Sequence, residues 1–267
     1  MPDFAQQYEE LEERFREQIK RDRERIKCED IVYLPSFTVP SSQVDYVFIA
    51  MEPSLTDKWA GIKPNFKDGV TAVKKGARNF MPGGIEGCIL YYCATKYLCG
   101  RTYYFTDMSK GAMNVDKAKL GRTKRWEEWF CLLQQELKIV AKEDATVFVI
   151  GTSVYNFLTH KKRKNTWFHK TFAGRIEYLL HYSKQAAGHR KKYINGRQSE
   201  FDDFKTKVTE NKIKDIVIPL LAKADTDWAK DSIKRVEGIK LTESWKMLIF
   251  CYKIKMEACG RKWNEPL

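Results

Sequence analysis

In Val47-Phe48-Ile49-Ala50-Met51-Glu52-Pro53-Ser54, an apolar run turns abruptly polar at a proline. Such a run is typical of a strand that is buried on both faces of a sheet. Two later apolar runs end in the same way, residues 103–106 in Asp107 and residues 178–180 in His181. Because open parallel sheets bind ligands beyond the carboxyl ends of their strands, these three polar side chains are candidates for one functional site.

Helical patterns separate the predicted strands. Residues 85–98 and 123–140 have helical character, and a further buried strand is predicted at residues 145–150. Strands that alternate with helices predict a parallel sheet with both faces covered. The fold class is therefore predicted as α/β, a three-layer α/β/α sandwich with a central parallel four-stranded sheet, an N-terminal helix and a C-terminal helical extension.

The ends of the chain are predicted to be helical additions to that core. Residues 4–27 carry a sparse apolar stripe at helical spacing, and residues 199–258 change to consecutive helical segments. We predict three regions: an N-terminal helix and lead-in over 1–42, an α/β core over 43–198, and a helical extension packed on the core over 199–267.

Composition favours a polyanionic partner. The 267 residues contain 48 Lys and Arg against 35 Asp and Glu, a net charge of +13. Nucleic acid is the commonest partner for such a surface, although a basic protein that needs no polyanion is the alternative. The charged N-terminus lacks the apolar segment of a signal peptide, and no apolar run is long enough to span a membrane. The seven cysteines form no C-x-x-C pair. We therefore expect a cytoplasmic protein with reduced thiols.

Four short motifs, in this order, resemble those of the uracil-DNA glycosylase superfamily. They cover about residues 43–195 and are Ala50-Met51-Glu52-Pro53-Ser54, the strand end from Phe105 to Lys110, the segment Leu133-Gln134-Gln135-Glu136-Leu137 with the strand and glycine of residues 147–151, and His181-Tyr182-Ser183. The cluster-binding branch of the superfamily uses four cysteines, but Cys28 is alone. An iron–sulfur cluster is therefore not expected.

The resemblance implies roles for five residues. Glu52 would position and activate the water that attacks the sugar, and His181 would donate a hydrogen bond to the departing base. Phe80 would stack on the flipped base, and Met51 and Ser54 would lie beside it. The alternatives are a capping or surface glutamate, a core or turn histidine, and a core aromatic ring.

Asp107 and Ser54 depart from the family pattern. Where the family has asparagine, an acid suits the amino group of cytosine better than the edge of uracil. Serine in place of tyrosine leaves room for a substituent at C5 of the base. The departures resemble the anti-phage members that excise glucosylated 5-hydroxymethylcytosine; the alternative is a shifted register that makes Asp107 an ordinary strand-end turn residue.

A basic segment follows His181 and is predicted to contact DNA. Its small residues and cations suit a loop that wedges into the duplex while the cations hold phosphates. The alternative is the solvated start of a surface helix. The predicted DNA contacts are Lys184, Gln185, His189, Arg190, Lys191 and, from the middle motif, Lys110.

The sequence thus predicts a monofunctional glycosylase that acts on DNA, with phage DNA that carries modified bases as the expected substrate. We expect a monomer that needs no cofactor, no metal and no membrane. Two alternatives stay open: a uracil or deaminated-base repair glycosylase, and a non-catalytic DNA-binding protein on the same scaffold.

Overall fold

A computed structural model describes residues 3–29, 31–55, 66–98, 100–182 and 186–262. The strands of this part are β1 (Val32–Tyr33), β2 (Val44–Ala50), β3 (Ser54–Leu55), β4 (Tyr103–Asp107), β5 (Gly111–Asn114), β6 (Ala141–Ile150) and β7 (Ile176–Leu179). The α-helices are α1 (Phe4–Ile26), α2 (Phe66–Lys74), α3 (Ile85–Tyr97), α4 (Val115–Lys119), α5 (Arg122–Val140), α6 (Thr152–Thr159), α7 (Trp167–Phe172), α8 (Ala187–Ile194), α9 (Gln198–Lys207), α10 (Glu210–Ala222), α11 (Asp227–Glu237) and α12 (Glu243–Lys262).

The main sheet has the strand order β4-β2-β6-β7. Strand β2 pairs in parallel with both neighbours, so that Phe48 lies between Phe105 and Phe148. The parallel four-stranded sheet is flanked by helices, which confirms the predicted three-layer α/β sandwich with its N-terminal and C-terminal helices. In this order, β2 lies between the strand that ends in Asp107 and the long strand β6.

The central strands are buried because they are apolar on both sides. One side of β2 packs into a cluster with residues of α5, α6 and α7, and burial of each large side chain contributes about 1.5–3 kcal/mol. On the other side, the Phe48 ring stacks on Phe148 at 4.9 Å and contacts Phe105 at 4.8 Å. The strand has little freedom to shift, so its carboxyl end is firmly placed.

A second, small sheet forms from three short strands that the sequence did not predict. Strand β5 pairs antiparallel with β1 and parallel with β3. From its glycines and prolines, the segment over residues 55–83 is predicted to be a loop, but residues 66–74 form α2. Phe66, Val70 and Val73 have the spacing of one helix face, but Gly69 inside the segment obscured this pattern.

Helix α1 packs on α5 along the predicted apolar stripe. Asp3 caps its N-terminus by accepting a hydrogen bond from the Gln6 backbone N–H at 2.8 Å. Near the other end, the fully buried Asp22 carboxylate accepts a 2.7 Å hydrogen bond from the Trp129 indole. Burial raises the pKa of Asp22, against the opposing effects of Trp129 and Arg25.

Trp129→Phe is expected to lower the free energy of unfolding by about 1–3 kcal/mol, since it leaves a buried acceptor with fewer donors. Urea denaturation measures this. Trp167→Phe makes the same change at a half-buried indole that packs edge-on against Phe172, and it serves as the control. Equal, small losses from both variants would contradict a specific role for the bond to Asp22.

The chain divides into two compact units. The first comprises residues 1–80, 102–149 and 153–176, and the second comprises residues 81–101, 150–152 and 177–267. Glu52 and Asp107 belong to the first unit, and His181 belongs to the second. The boundaries that the sequence predicts at residues 42 and 198 stay predictions. Within the described residues, no helix combines the length and apolar character that crossing a membrane requires.

Candidate active site

The carboxyl ends of β2 and β4 are joined by backbone hydrogen bonds. The Met108 N–H donates to the Ala50 carbonyl at 2.9 Å, and the Ser109 N–H donates to the Met51 carbonyl at 3.3 Å. The parallel register also places Ala50 opposite Asp107. The first and middle motifs of the sequence therefore lie side by side in the first unit, as the strand-end argument predicts.

Asp107 is a buried carboxyl group with one amide partner. Its side chain accepts a hydrogen bond at Oδ2 from Asn79 Nδ2 at 2.8 Å, and the residue is 3% exposed. Burial raises the pKa of Asp107 to about 7, helped by the charges of Glu52 and Glu136 and opposed by Lys110 and Asn79. Near neutral pH the group is therefore close to half protonated, so it can donate as well as accept.

Asn79 was not identified from the sequence. Its backbone is held on both sides, because its N–H donates to the Pro35 carbonyl at 2.8 Å and its carbonyl accepts from the Phe37 N–H at 3.0 Å. The Pro-rich lead-in at residues 35–42 therefore positions the amide that meets Asp107. No local sequence signal links these segments, since 28 residues separate Asn79 from Asp107.

Glu52 is held by three side chains from the first turns of α5. Its carboxylate accepts from Arg122 at 2.7 Å and from the Trp126 indole at 3.1 Å, and Arg125 lies 3.7 Å away. The Glu52 side chain is 3% exposed. The surface-glutamate alternative is thus wrong, and the carboxylate is oriented by contacts that the motif did not predict.

A sequence signal for those contacts exists. Arg122, Arg125 and Trp126 stand at positions i, i+3 and i+4 of one helix, which puts three donors on one face. Arg125 is itself fully buried and donates to the Ala118 carbonyl at 2.8 Å. Burial lowers the pKa of Arg125, whereas the Glu52 charge opposes this effect.

The prediction that Lys110 contacts DNA is wrong. Its ammonium group pairs with Glu136 at 2.8 Å and bonds Thr106, and the residue is only 3% exposed. A buried lysine needs such a partner, because an isolated charge in the interior is costly. Lys110 therefore stabilises the end of β4 from within.

Glu136 is the shared acceptor of a buried network that includes Lys110, Thr106 and Tyr104. Its carboxylate also accepts from Tyr104 at 2.8 Å, and Tyr104 shares a 2.7 Å hydrogen bond with Tyr8 of α1. Burial is the largest cause of the raised pKa of both tyrosines, followed for each by the Glu136 charge. The network connects α1, β4 and α5 directly behind Asp107.

Phe80 lies next to Asn79 and has an unusual backbone. Its φ of 59° is in the left-handed region, which a bulky residue rarely adopts. Its half-buried ring stacks on Phe105 of β4 with a centroid distance of 5.5 Å and an interplanar angle of 24°. Backbone strain of this kind often occurs at ligand sites, but stacking on a base stays a prediction.

The other residues that were predicted to contact the base or the DNA differ in their surroundings. Met51 is half-buried and packs against the core cluster of the first unit. Ser54 begins β3, where its backbone is paired with Met113. Lys184 and Gln185 lie outside the described residues.

His181 follows β7 in the second unit and is half-buried. Its ring lies beside the Tyr182 ring at 4.5 Å and against Gly151, where an added Cβ would be 3.1 Å from His181 Cδ2. Burial lowers the pKa of His181, and the Arg190 charge lowers it further. The imidazole is therefore neutral at pH 7, with one ring nitrogen able to donate.

Arg190 is not the DNA contact that the sequence predicts. It is 1% exposed, and its guanidinium donates to the Tyr182 carbonyl at 2.8 Å and to Ser244 Oγ at 3.0 Å. Its charge is thus committed to the interior of the second unit. His189 and Lys191 of the same helix are exposed, and their contact with DNA stays a prediction.

Among the described residues, no group of three or more His, Cys, Asp or Glu side chains is arranged to hold a metal ion. The candidate groups of the first unit are carboxylates, an amide and aromatic rings, and the second unit by itself holds a neutral histidine. No protein-family model, curated protein or solved structure matches this chain.

Proposed function

We propose that the protein is a DNA glycosylase that hydrolyses the N-glycosidic bond of a flipped, modified cytosine and leaves an abasic site. The observation that carries this proposal is the Asn79–Asp107 pair at the carboxyl end of β4. A buried carboxyl group with a pKa of about 7, next to a fixed amide, suits the recognition of a nitrogen heterocycle.

The chemistry of the pair favours cytosine. A protonated Asp107 donates to the unprotonated ring nitrogen N3 of cytosine, and its second oxygen accepts from the exocyclic amino group. Uracil presents the reverse pattern, an N3–H donor and an O4 acceptor. Asn79 already donates to Oδ2, which leaves that oxygen one further lone pair.

Glu52 and His181 are proposed as the catalytic pair. The Glu52 carboxylate stabilises the positive charge that develops on the sugar and accepts a proton from the attacking water, whose oxygen bonds C1′. The glycosidic electrons leave with the base, and neutral His181 donates a hydrogen bond to the base O2, where negative charge develops. Arg122 and Trp126 hold the Glu52 carboxylate in one orientation.

The modified cytosine is proposed to carry a bulky C5 group, as in phage DNA with glucosylated 5-hydroxymethylcytosine. Serine at position 54, in place of the family tyrosine, leaves room for that group. Removal of plain cytosine would damage the host genome, so restriction to a modified base is expected. We accordingly propose a cytoplasmic, monomeric enzyme of antiviral defence.

Base release from matched duplexes tests the proposal. The duplexes contain uracil, cytosine, 5-hydroxymethylcytosine or glucosylated 5-hydroxymethylcytosine at one position, and abasic sites are detected by alkaline cleavage. We expect release only from the glucosylated duplex. Release from uracil DNA would instead favour a repair glycosylase and overturn the reading of Asp107.

A non-catalytic DNA-binding protein is the second candidate, and the ion pairs of Glu52 with Arg122 and Arg125 favour it. The Glu52 carboxylate is already paired with Arg122 at 2.7 Å and bonded by the Trp126 indole at 3.1 Å, as in a structural ion pair. Tight binding of the glucosylated duplex without release of any base, by protein that is fully folded, would support this candidate.

Exposed cations of α8 are expected to contact DNA phosphates in either case. Lys191→Gln combined with Lys192→Gln should weaken duplex binding about tenfold and reduce the slope of log K against log salt by about 2. Fluorescence anisotropy at several salt concentrations measures both quantities. The control is Lys212→Gln combined with Lys223→Gln, which removes one exposed lysine within α10 and one at the C-cap position of that helix. An equal loss of DNA affinity in this control would show that the attraction is unspecific.

A further inference from the structure

The backbone around His181 is held at the carbonyls of both neighbouring residues, Leu180 and Tyr182, by side chains of helices α8 and α12. The Tyr252 hydroxyl, on α12, donates to the Leu180 carbonyl at 2.7 Å. Arg190, on α8, donates to the Tyr182 carbonyl at 2.8 Å. One bond is to the residue before His181 and the other is to the residue after it, so the backbone is anchored on both sides of the histidine.

Both donors are themselves rigidly placed. Tyr252 is fully buried and Arg190 is 1% exposed. Arg190 has a further bond to Ser244 Oγ at 3.0 Å, and its guanidinium lies 5.2 Å from the centre of the Trp245 ring. Helices α8 and α12, which carry the two donors, also pack on each other.

The imidazole ring of His181 packs closely against Gly151. Gly151 has a φ of 94°, and its Cα faces the ring so closely that a side chain there would contact Cδ2. Its N–H donates to the Leu179 carbonyl at 2.9 Å, which ties the glycine to the same strand end. The arrangement restricts the backbone, the ring position and the electrostatic surroundings of one histidine.

We propose that Tyr252 and Arg190 are positioning residues that orient His181 for the reaction, and that this is the task of the C-terminal helices α8 and α12. This inference rests on the proposed function, because only that function has His181 contact a substrate. Preorganised donors require a supporting shell, because a displacement of about 1 Å at a catalytic group can reduce a rate about 100-fold.

Tyr252→Phe removes one bond of the pair and almost no volume. We expect the single-turnover rate of base release at saturating glucosylated DNA to fall about 10- to 100-fold. The affinity for DNA should stay within about twofold, since Tyr252 is buried and the charge is unchanged. Tyr97→Phe removes the hydroxyl of another buried tyrosine of the second unit, one bonded to Tyr92, and should leave the rate unchanged.

NMR of the His181 ring gives a readout that needs no activity. Its resonances are assigned by their loss in His181→Gln, and Tyr252→Phe should shift and broaden them while Tyr97→Phe does not. Arg190→Gln should raise the pKa of His181 toward 6.5, because the Arg190 charge acts with burial to lower it. Arg190→Lys retains the charge and should keep the pKa low.

The outcomes separate the two proposals. Altered His181 resonances in Tyr252→Phe, in a protein that releases no base, would overturn the glycosylase function but retain the positioning of the histidine. Unchanged resonances and an unchanged rate in a folded Tyr252→Phe protein would overturn the positioning proposal alone. Equal effects of Tyr252→Phe and Tyr97→Phe on the rate and on the His181 resonances would mean that both hydroxyl groups only stabilise the second unit in general.

Discussion

Glu52→Gln should lower the rate of base release by about 10²- to 10⁴-fold, since it removes the group that accepts the proton of water. Binding of the glucosylated duplex should persist, because the variant is more cationic by one charge. Single-turnover cleavage and anisotropy at the same salt concentration measure the two quantities. A variant that retains full activity would exclude Glu52 as the general base.

The same change has a structural consequence that must be separated from catalysis. Glu52 neutralises Arg125, which is fully buried, and Arg122, whose side chain is 25% exposed. Loss of one partner from a buried ion pair costs about 3–5 kcal/mol, although the glutamine oxygen still accepts hydrogen bonds and moderates the loss. We therefore expect a clear fall in Tm, and rates should be compared well below the Tm of the variant.

Glu127→Gln is the matched control for Glu52→Gln. It removes a carboxylate of α5 that also pairs with an arginine, Arg163 at 2.6 Å, and the Glu127 side chain is 52% exposed whereas the Arg163 side chain is 10% exposed. Because Glu127 is half in solvent but Arg163 is nearly buried, we expect a smaller fall in Tm than for Glu52→Gln and an unchanged rate. A comparable loss of activity in Glu127→Gln would indicate that α5 charges act unspecifically through DNA attraction.

Asp107→Asn is expected to stabilise the protein at pH 8 and to leave its stability nearly unchanged at pH 4. The folded pKa of about 7 lies above the value of 3.8 for an unperturbed carboxyl group. Stability from the tightly held proton is thus fully present below about pH 4 and is lost as pH rises through 7. The difference corresponds to about 4 kcal/mol at pH 8, at 1.36 kcal/mol per pKa unit.

Urea denaturation from pH 4 to pH 8 measures this effect. The wild-type protein should lose stability relative to Asp107→Asn over that range, whereas parallel pH profiles would contradict a buried, protonated carboxyl group. Asp116→Asn is the control, because that carboxylate is exposed. The gain fits the general cost that functional groups impose on stability.

Asp107→Asn should also change the preferred base. Asparagine donates through its amide nitrogen and accepts through its oxygen, so it can match the N3–H and O4 groups of uracil. We expect weaker release of the modified cytosine and a gain of uracil release. If the variant prefers the same base as the wild-type protein, Asp107 does not recognise the base, even if the stability result holds.

The strand ends were predictable because they depend on local patterns. The apolar runs that end at Glu52, Asp107 and His181 predict strands of a parallel sheet, and the structure has strands there, although only Leu179 of β7 is buried. Helix α2 was missed because Gly69 interrupts its short pattern. Arg190 and Lys110 were misassigned because a cation beside a motif looks the same in sequence whether it faces water or a buried partner.

The sequence by itself determined the strands and helices of the main sheet, its parallel pairing and the residues at its carboxyl edge, because these follow from periodicity and burial. Only the tertiary structure decided which partners those residues have: Asn79 for Asp107, α5 for Glu52, and Tyr252 with Arg190 beside His181. Such contacts join segments far apart in the chain. Hydrogen bonding and burial, which set the pKa values and the orientation of each group, exist only once the fold has brought those segments together.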